Sequence, residues 1–305
     1  MVSEKWREVK TAVIRFLFSV FCFSLISCGT AVPAPIPTAI IKTQPTIQPT
    51  PTPIPVETQN LASLPSPTPS PPPTITPIPD TGWLTLQAGL ERRTIRLFDE
   101  NGQQSEHLYL LRLDPAQFTF EIAYSSGQPK SLPTWQAETG AQIVVNGGFF
   151  TEDFVATGLV VVDGAASGVS YGEFAGMFAV TDAGPDVRWL AERPFSSSEP
   201  LQFALQSFPM LVRPGGEMGF SDEDGRQARR TVVAEDENGR ILFILAPFGS
   251  FTLHEMSRYL VESDLEIDAA LNLDGGTSTG LVLAEPEERV LAFTAVPTVI
   301  VVYPR

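Results

Sequence analysis

Asp274 lies in the run Asn272-Leu273-Asp274-Gly275-Gly276-Thr277-Ser278-Thr279-Gly280, a carboxylate between an amide and three hydroxyls. A carboxylate in that company can serve as a base or a nucleophile while its neighbours donate hydrogen bonds. The paired glycines let the backbone bend sharply and approach a ligand closely. Apolar runs stand on either side, Ala269-Ala270-Leu271 before and Leu281-Val282-Leu283 after. The pattern predicts a strand, a glycine-rich turn and a second strand, with the carboxylate at the mouth. Taken alone, an Asp-Gly-Gly run is also an ordinary polar turn.

Three further elements repeat the theme of polar residues at a strand end, where loops on a rigid scaffold carry function. Ile143-Val144-Val145 runs into Asn146-Gly147-Gly148-Phe149-Phe150. Arg229-Arg230-Thr231 opens a strand, and Gln206-Ser207-Phe208-Pro209-Met210-Leu211-Val212 precedes another. Each has a plain structural alternative: Asn146 as a turn cap, Arg230 as a surface residue of an edge strand, Gln206 as a polar residue before an X-Pro turn. The only histidines, His107 and His254, are expected at the surface, and two histidines alone make a poor zinc set. The acidic loop Asp222-Glu223-Asp224 offers oxygens to calcium or magnesium, although a solvated turn is its ordinary reading. No metal is assigned and no cofactor is required.

The elements that must position these residues are mostly strands. Leu108 to Leu113 and Phe118 to Ala123 read as strands of a hairpin-rich start. Leu159 to Val162 reads as a strand closed by Asp163-Gly164, and Gly176 to Val180 as another. Thr231 to Ala234 and Ile241 to Ala246 flank Glu237-Asn238-Gly239, a hairpin signal. Thr252-Leu253-His254-Glu255 fits a capping box, followed by Leu253, Met256, Leu260 and Val261 at helical spacing. Val290 to Phe293 and Pro297 to Tyr303 close the chain as strands. The expected fold is α+β: a single domain with a large mixed sheet and few helices.

That domain is expected at residues 81–305, long enough to bury one core. It holds 15 Lys+Arg against 31 Asp+Glu, a formal charge of −16. So acidic a surface argues against nucleic acid as a partner. Residues 29–80 carry sixteen of the 28 prolines, with Thr and Ser between. They read as an extended, disordered tether. Residues 1–28 read as a secretory signal: Lys5, Arg7, Lys10 and Arg15, then an apolar stretch from Phe16 to Ile26 too short to span a bilayer. Leu25-Ile26-Ser27-Cys28 resembles a bacterial lipobox, with Cys28 as the lipidation site; a plain signal peptide or an uncleaved anchor are the alternatives. Cys22, the one other cysteine, lies within the apolar stretch, so the exported domain has no thiol chemistry and no disulfide. The expected location is the cell envelope, lipid-anchored and facing the extracytoplasmic side.

From about Ile143 to Val302 the chain resembles the phosphodiester glycosidase family. The resemblance rests on Asn146-Gly147-Gly148-Phe149-Phe150, on Pro209-Met210-Leu211-Val212, on Arg230-Thr231, and on a helix followed by Asn272 to Ser278. Phe208, Arg229, Phe251 and Thr277 depart from residues common there; Phe208 and Phe251 would narrow the site. The resemblance implies hydrolysis of a sugar-1-phosphodiester on an envelope or extracellular glycan. It implies Asp274 and Arg230 as catalytic residues, Asp274 as base or nucleophile and Arg230 as a bidentate phosphate clamp. Asn146, Gly147, Gly148, Gln206, Thr231, Asn272, Gly275, Gly276, Thr277 and Ser278 would contact the substrate. The substrate would be a carbohydrate or sugar-phosphate polymer. A glycan-binding lipoprotein without turnover and a metal-assisted phosphodiesterase are the competing readings.

Overall fold

The structure, a computed structural model, describes residues 79–305. The expected signal segment with Cys28, and all but the last two residues of the expected tether, lie outside the described residues. Among those described, the architecture is α+β with many strands and two α-helices, Leu132–Thr139 and Leu253–Glu262. The strands form three sheets rather than one, and each pairing is antiparallel.

The eight-stranded sheet runs, in spatial order, Leu84–Gln87, Leu90–Phe98, Gln104–Leu113, Ile241–Phe251, Ala228–Asp236, Ile267–Asn272, Met210–Arg213 and Glu217–Met218. One five-stranded sheet runs Ala165–Ser167, Val160–Val162, Phe203–Ser207, Gly176–Thr181 and Gly184–Trp189. The other runs Glu288–Val290, Leu281–Leu283, Ile143–Asn146, Thr298–Pro304 and Phe118–Tyr124. Residues 108–113 and 118–123 are strands, but they lie in different sheets and form no hairpin. Phe118–Tyr124 pairs instead with Thr298–Pro304, almost the whole domain away in sequence.

Alternation explains how the sheets stack, because side chains two apart share a face. Val233, Leu245, Leu271 and Leu273 point into a central core. They meet Ile143, Val145, Leu281 and Ile300 of one small sheet, and Val160, Phe178 and Leu205 of the other. The intervening residues Val232, Ala234, Ile244 and Ala270 face the opposite way, onto the second helix. That helix has the expected capping box between Thr252 and Glu255. It buries Met256 and Leu260, while Val261, expected on the same stripe, stays 40% exposed.

One strand boundary differs from expectation. The final hairpin strand stops at Val290, leaving Leu291 and Phe293 63% and 71% exposed. At the other end, Asp80 holds buried Arg93 through two hydrogen bonds, Nε at 3.0 Å and a terminal nitrogen at 2.6 Å. Asp264 takes a third at 3.0 Å.

Candidate active site

All three sheets meet at one place: the strand ends at Asn146, Gln206 and Asn272, and Thr231 within Ala228–Asp236. The segment 273–280 crosses there from the eight-stranded sheet to the sheet holding Ile143–Asn146. Its first residues keep the ladder: Leu273 N–H donates to Thr231 O at 2.8 Å, and Asp274 N–H to Gly147 O at 3.0 Å. Leu281 then pairs with Val145. The crossing explains the apolar–polar–apolar sequence, since both ends are buried strands and only the middle reaches the surface.

Asn146 clamps this crossing. Its Oδ1 accepts from the Thr231 hydroxyl at 2.8 Å and from Gly280 N–H at 3.0 Å. Its Nδ2 donates to Asp274 O at 2.7 Å. Asn146 and Thr231 are fully buried. The Asn146 amide is thus engaged with the protein itself and holds Asp274 in place from behind. Asn146→Ala would strand the Thr231 hydroxyl, Gly280 N–H and Asp274 carbonyl, at about 1–3 kcal/mol for each buried group left unpaired. We expect a loss of about 3 kcal/mol or more in urea denaturation; wild-type stability in that variant would show that the clamp does not hold the loop.

The glycines are needed for close approach. A Cβ on Gly275 would lie 2.5 Å from Arg229 O, and one on Gly147 2.8 Å from Thr298 O. Gly276 takes a positive φ of 57° and opens the short 3₁₀ turn Gly276–Ser278. Thr277 is exposed, and Ser278 is buried beneath it.

Asp274 is half-buried. Burial pushes its carboxyl up to about 6, against hydrogen bonds from the Ser278 hydroxyl and Gly275 N–H that favour the charged form. A carboxylate with that value is a working base near neutral pH. Next to it, Asn272 donates from its backbone to Pro209 O at 3.0 Å and from Nδ2 to Phe208 O at 2.9 Å. Its Oδ1 is buried without a partner, as is the Ser207 hydroxyl.

Arg230 lies on the strand next to the one that leads into Asp274. The pair Val232–Asn272 and the bond from Leu273 N–H to Thr231 O bring the two residues' backbone segments side by side. The guanidinium donates through Nε to Phe251 O at 3.1 Å and through a terminal nitrogen to Arg226 O at 2.8 Å. Arg230 has no carboxylate within ion-pair distance among the described residues. Burial pulls its guanidinium below the usual arginine value, against the fields of Asp224 and Glu255. A half-buried cation with donors unused and no carboxylate of its own can receive an anion.

Gln206 and Gly148 sit one strand end further on. The Gln206 amide accepts from Tyr171 N–H at 2.7 Å and donates to the Ser170 hydroxyl at 2.9 Å. It fixes the loop that brings Tyr171 to Phe208, with ring centroids 5.4 Å apart. Phe149 and Phe174 complete an aromatic wall beside Asn272, at 4.7 and 5.6 Å from Phe208. Composition did not point to this wall; Phe208 was legible only as a bulky departure. His254 is half-buried rather than on the surface, and its Nδ1 has no partner. In the acidic loop, Glu223 accepts from Gly225 N–H and the Thr252 hydroxyl, and Asp224 from Arg226 N–H. No cluster of three His, Cys, Asp or Glu side chains able to hold a metal occurs among the described residues.

A carboxyl raised towards neutrality, an arginine on the neighbouring strand, an unpaired amide oxygen and an aromatic wall are gathered at these strand ends. A family model described as phosphodiester glycosidase matches residues 139–303. Among solved structures, the catalytic domain of zebrafish N-acetylglucosamine-1-phosphodiester alpha-N-acetylglucosaminidase, auto-inhibited by its pro-peptide, is similar with a TM-score of 0.57. That similarity carries 17% identity and covers 71% of this chain and 83% of that one. A hypothetical protein from Synechocystis is similar with a TM-score of 0.52 and 14% identity, over 73% of this chain and 63% of that one. At such identities the likeness is one of fold. No curated protein matches the chain. The family match spans more than half of the sequence and includes Asn146, Gln206, Arg230 and Asp274; the chain belongs to the phosphodiester glycosidase family.

Proposed function

We propose that the protein hydrolyses the glycosidic C–O bond of a sugar-1-phosphodiester on an envelope or extracellular glycan, with Asp274 and Arg230 as catalytic residues. The observation that carries this reading is the Asp274 carboxyl, raised to about 6 by burial at the mouth of the crossing loop, beside the strand that carries Arg230. The leaving group is a phosphomonoester, whose second pKa is about 6. It departs with little need of a proton, so one carboxylate suffices where most glycosidases use two. Asp274 either takes a proton from the attacking water or attacks the anomeric carbon itself. Arg230 receives the negative charge that moves onto the phosphate, where a fixed cation acts without reorganising. Asn272 Oδ1 accepts a hydrogen bond from the water or from a sugar hydroxyl. The rings of Phe208 and Phe149 support the sugar's apolar face.

Secretion and lipidation at Cys28 belong to the same proposal and rest on residues 1–28 of the sequence. They would hold the domain at a membrane surface on a proline-rich stalk. The test is a sugar 1-(4-nitrophenyl phosphate). Cleavage at carbon releases free sugar and nitrophenyl phosphate. Release of nitrophenol with sugar-1-phosphate would place the cut at phosphorus and favour the phosphodiesterase reading.

A further inference from the structure

Three of the most exposed large apolar side chains among the described residues belong to a strand bulge and a loop that one arginine joins. Phe293, Leu291 and Phe248 are 71%, 63% and 57% exposed. Arg229 donates through Nε to Pro247 O at 2.8 Å and through a terminal nitrogen to Leu291 O at 2.7 Å. Its guanidinium carbon lies 4.4 Å from the centre of the Phe293 ring. Its other terminal nitrogen reaches Gly276 O at 3.4 Å, on the crossing loop. That loop returns the contact, since Thr277 O accepts from Phe293 N–H at 2.7 Å and Thr294 N–H at 3.1 Å. The apolar patch therefore adjoins the segment that carries Asp274.

The patch is held in place by buried polar structure. Phe248 projects from a bulge between Ala246, which pairs with Arg230, and Phe251, which pairs with Ala228. Glu106, fully buried, fixes that bulge. Its carboxylate accepts from the N–H groups of Phe248, Gly249 and Ser250 at 2.9, 3.1 and 3.1 Å, and from the Ser250 hydroxyl at 3.0 Å. A buried carboxylate so fully bonded makes the bulge rigid, and with it the exposed ring. Arg229 itself has no carboxylate within ion-pair distance among the described residues. Its three hydrogen bonds leave two of five N–H groups for another acceptor. An unpaired cation among exposed apolar side chains fits an anion with an apolar tail. An anionic membrane surface fits poorly, because the domain's net charge of −16 would repel it.

We infer that Phe248, Leu291 and Phe293 form the subsite for the group beyond the phosphate, with Arg229 meeting the phosphate at its inner edge, and that this group is the apolar chain of a lipid-linked sugar phosphate. The inference rests on the proposed phosphodiester glycosidase reading for its place in the reaction, but the subsite can be tested by binding alone. The probes are octyl phosphate, kept below its micelle concentration, and methyl phosphate, titrated into the full-length protein by calorimetry. Fully burying a methylene strengthens binding about fourfold, so even partial cover of the chain should favour octyl phosphate by about tenfold or more. The double variant Leu291→Ser/Phe293→Ser should bring the ratio towards one, and Arg229→Gln should weaken both ligands. Equal affinity for the two phosphates, or an octyl preference unchanged in the double variant, would overturn the inference. So would a Phe293-dependent affinity for phosphatidylcholine vesicles without any octyl preference, which would make the patch a membrane contact. In turnover, the octyl diester of N-acetylglucosamine-1-phosphate should show a lower KM than the methyl diester. Octyl preference in binding with cleavage at phosphorus would sink the glycosidase reading and leave the subsite standing.

Discussion

Asp274→Asn is expected to abolish turnover, by about 10²–10⁴-fold if the carboxylate works as a base and further if it is the nucleophile. The fold should survive, because asparagine keeps the shape and can still accept from Ser278 and Gly275. The stability of the variant provides an independent check. The Asp274 carboxyl is raised from 3.8 to about 6 in the folded protein, so its proton is bound more tightly there than in the unfolded chain. Its contribution to stability is therefore best below pH 4 and is lost as pH rises through 6. Asparagine carries no such penalty. At pH 8 the variant should be more stable than the wild type by about 2–3 kcal/mol, and the gap should close below pH 4. For the same reason, wild-type kcat/KM should fall as pH drops below about 6. A folded variant with near-normal kcat would remove Asp274 from the chemistry and leave the glycine run as a structural turn.

Arg230→Ala should fail differently. Loss of one preorganised donor typically lowers the rate by about 10²–10³. Substrate binding should weaken too, because the ground-state phosphate already carries a charge. Asp274→Asn should instead lower kcat with KM little changed. Arg230 also ties Phe251 O and Arg226 O, so part of the loss could come from a loosened 221–227 segment. Arg230→Lys separates the two effects: it keeps the charge and loses the forked geometry. Recovery of KM without kcat in the lysine variant would assign the fork to the transition state. A KM for Arg230→Ala equal to that of the wild type would show that the phosphate sits elsewhere, with Arg229 the next candidate.

Much of the site was legible because its signals are local. The capping box at Thr252, the Glu237-Asn238-Gly239 hairpin and the buried runs before Asn146 and Asn272 each depend on neighbours within a few residues. The division into three sheets was not legible, because strand partners such as Phe118–Tyr124 and Thr298–Pro304 are set by packing across the domain. Leu90–Phe98 escaped notice because its arginines break the apolar alternation; Arg93 is buried only because Asp80 and Asp264 meet it. Helix Leu132–Thr139 buries Leu132 and Trp135 alone, too few to write a stripe. Asn146 was legible as a strand-end amide, but its hold on the Asp274 backbone depends on a loop 128 residues away. The exposure of Leu291 and Phe293 was hidden by a run that reads as a strand.

The central claim is that the bond broken joins the sugar's anomeric carbon to the phosphate oxygen, with Asp274 acting at that carbon. Hydrolysis of a sugar-1-phosphodiester in ¹⁸O-labelled water tests it most directly, read by mass spectrometry of both products. The account predicts one label in the released sugar and none in the phosphate. Label in the phosphate, with none in the sugar, would contradict it.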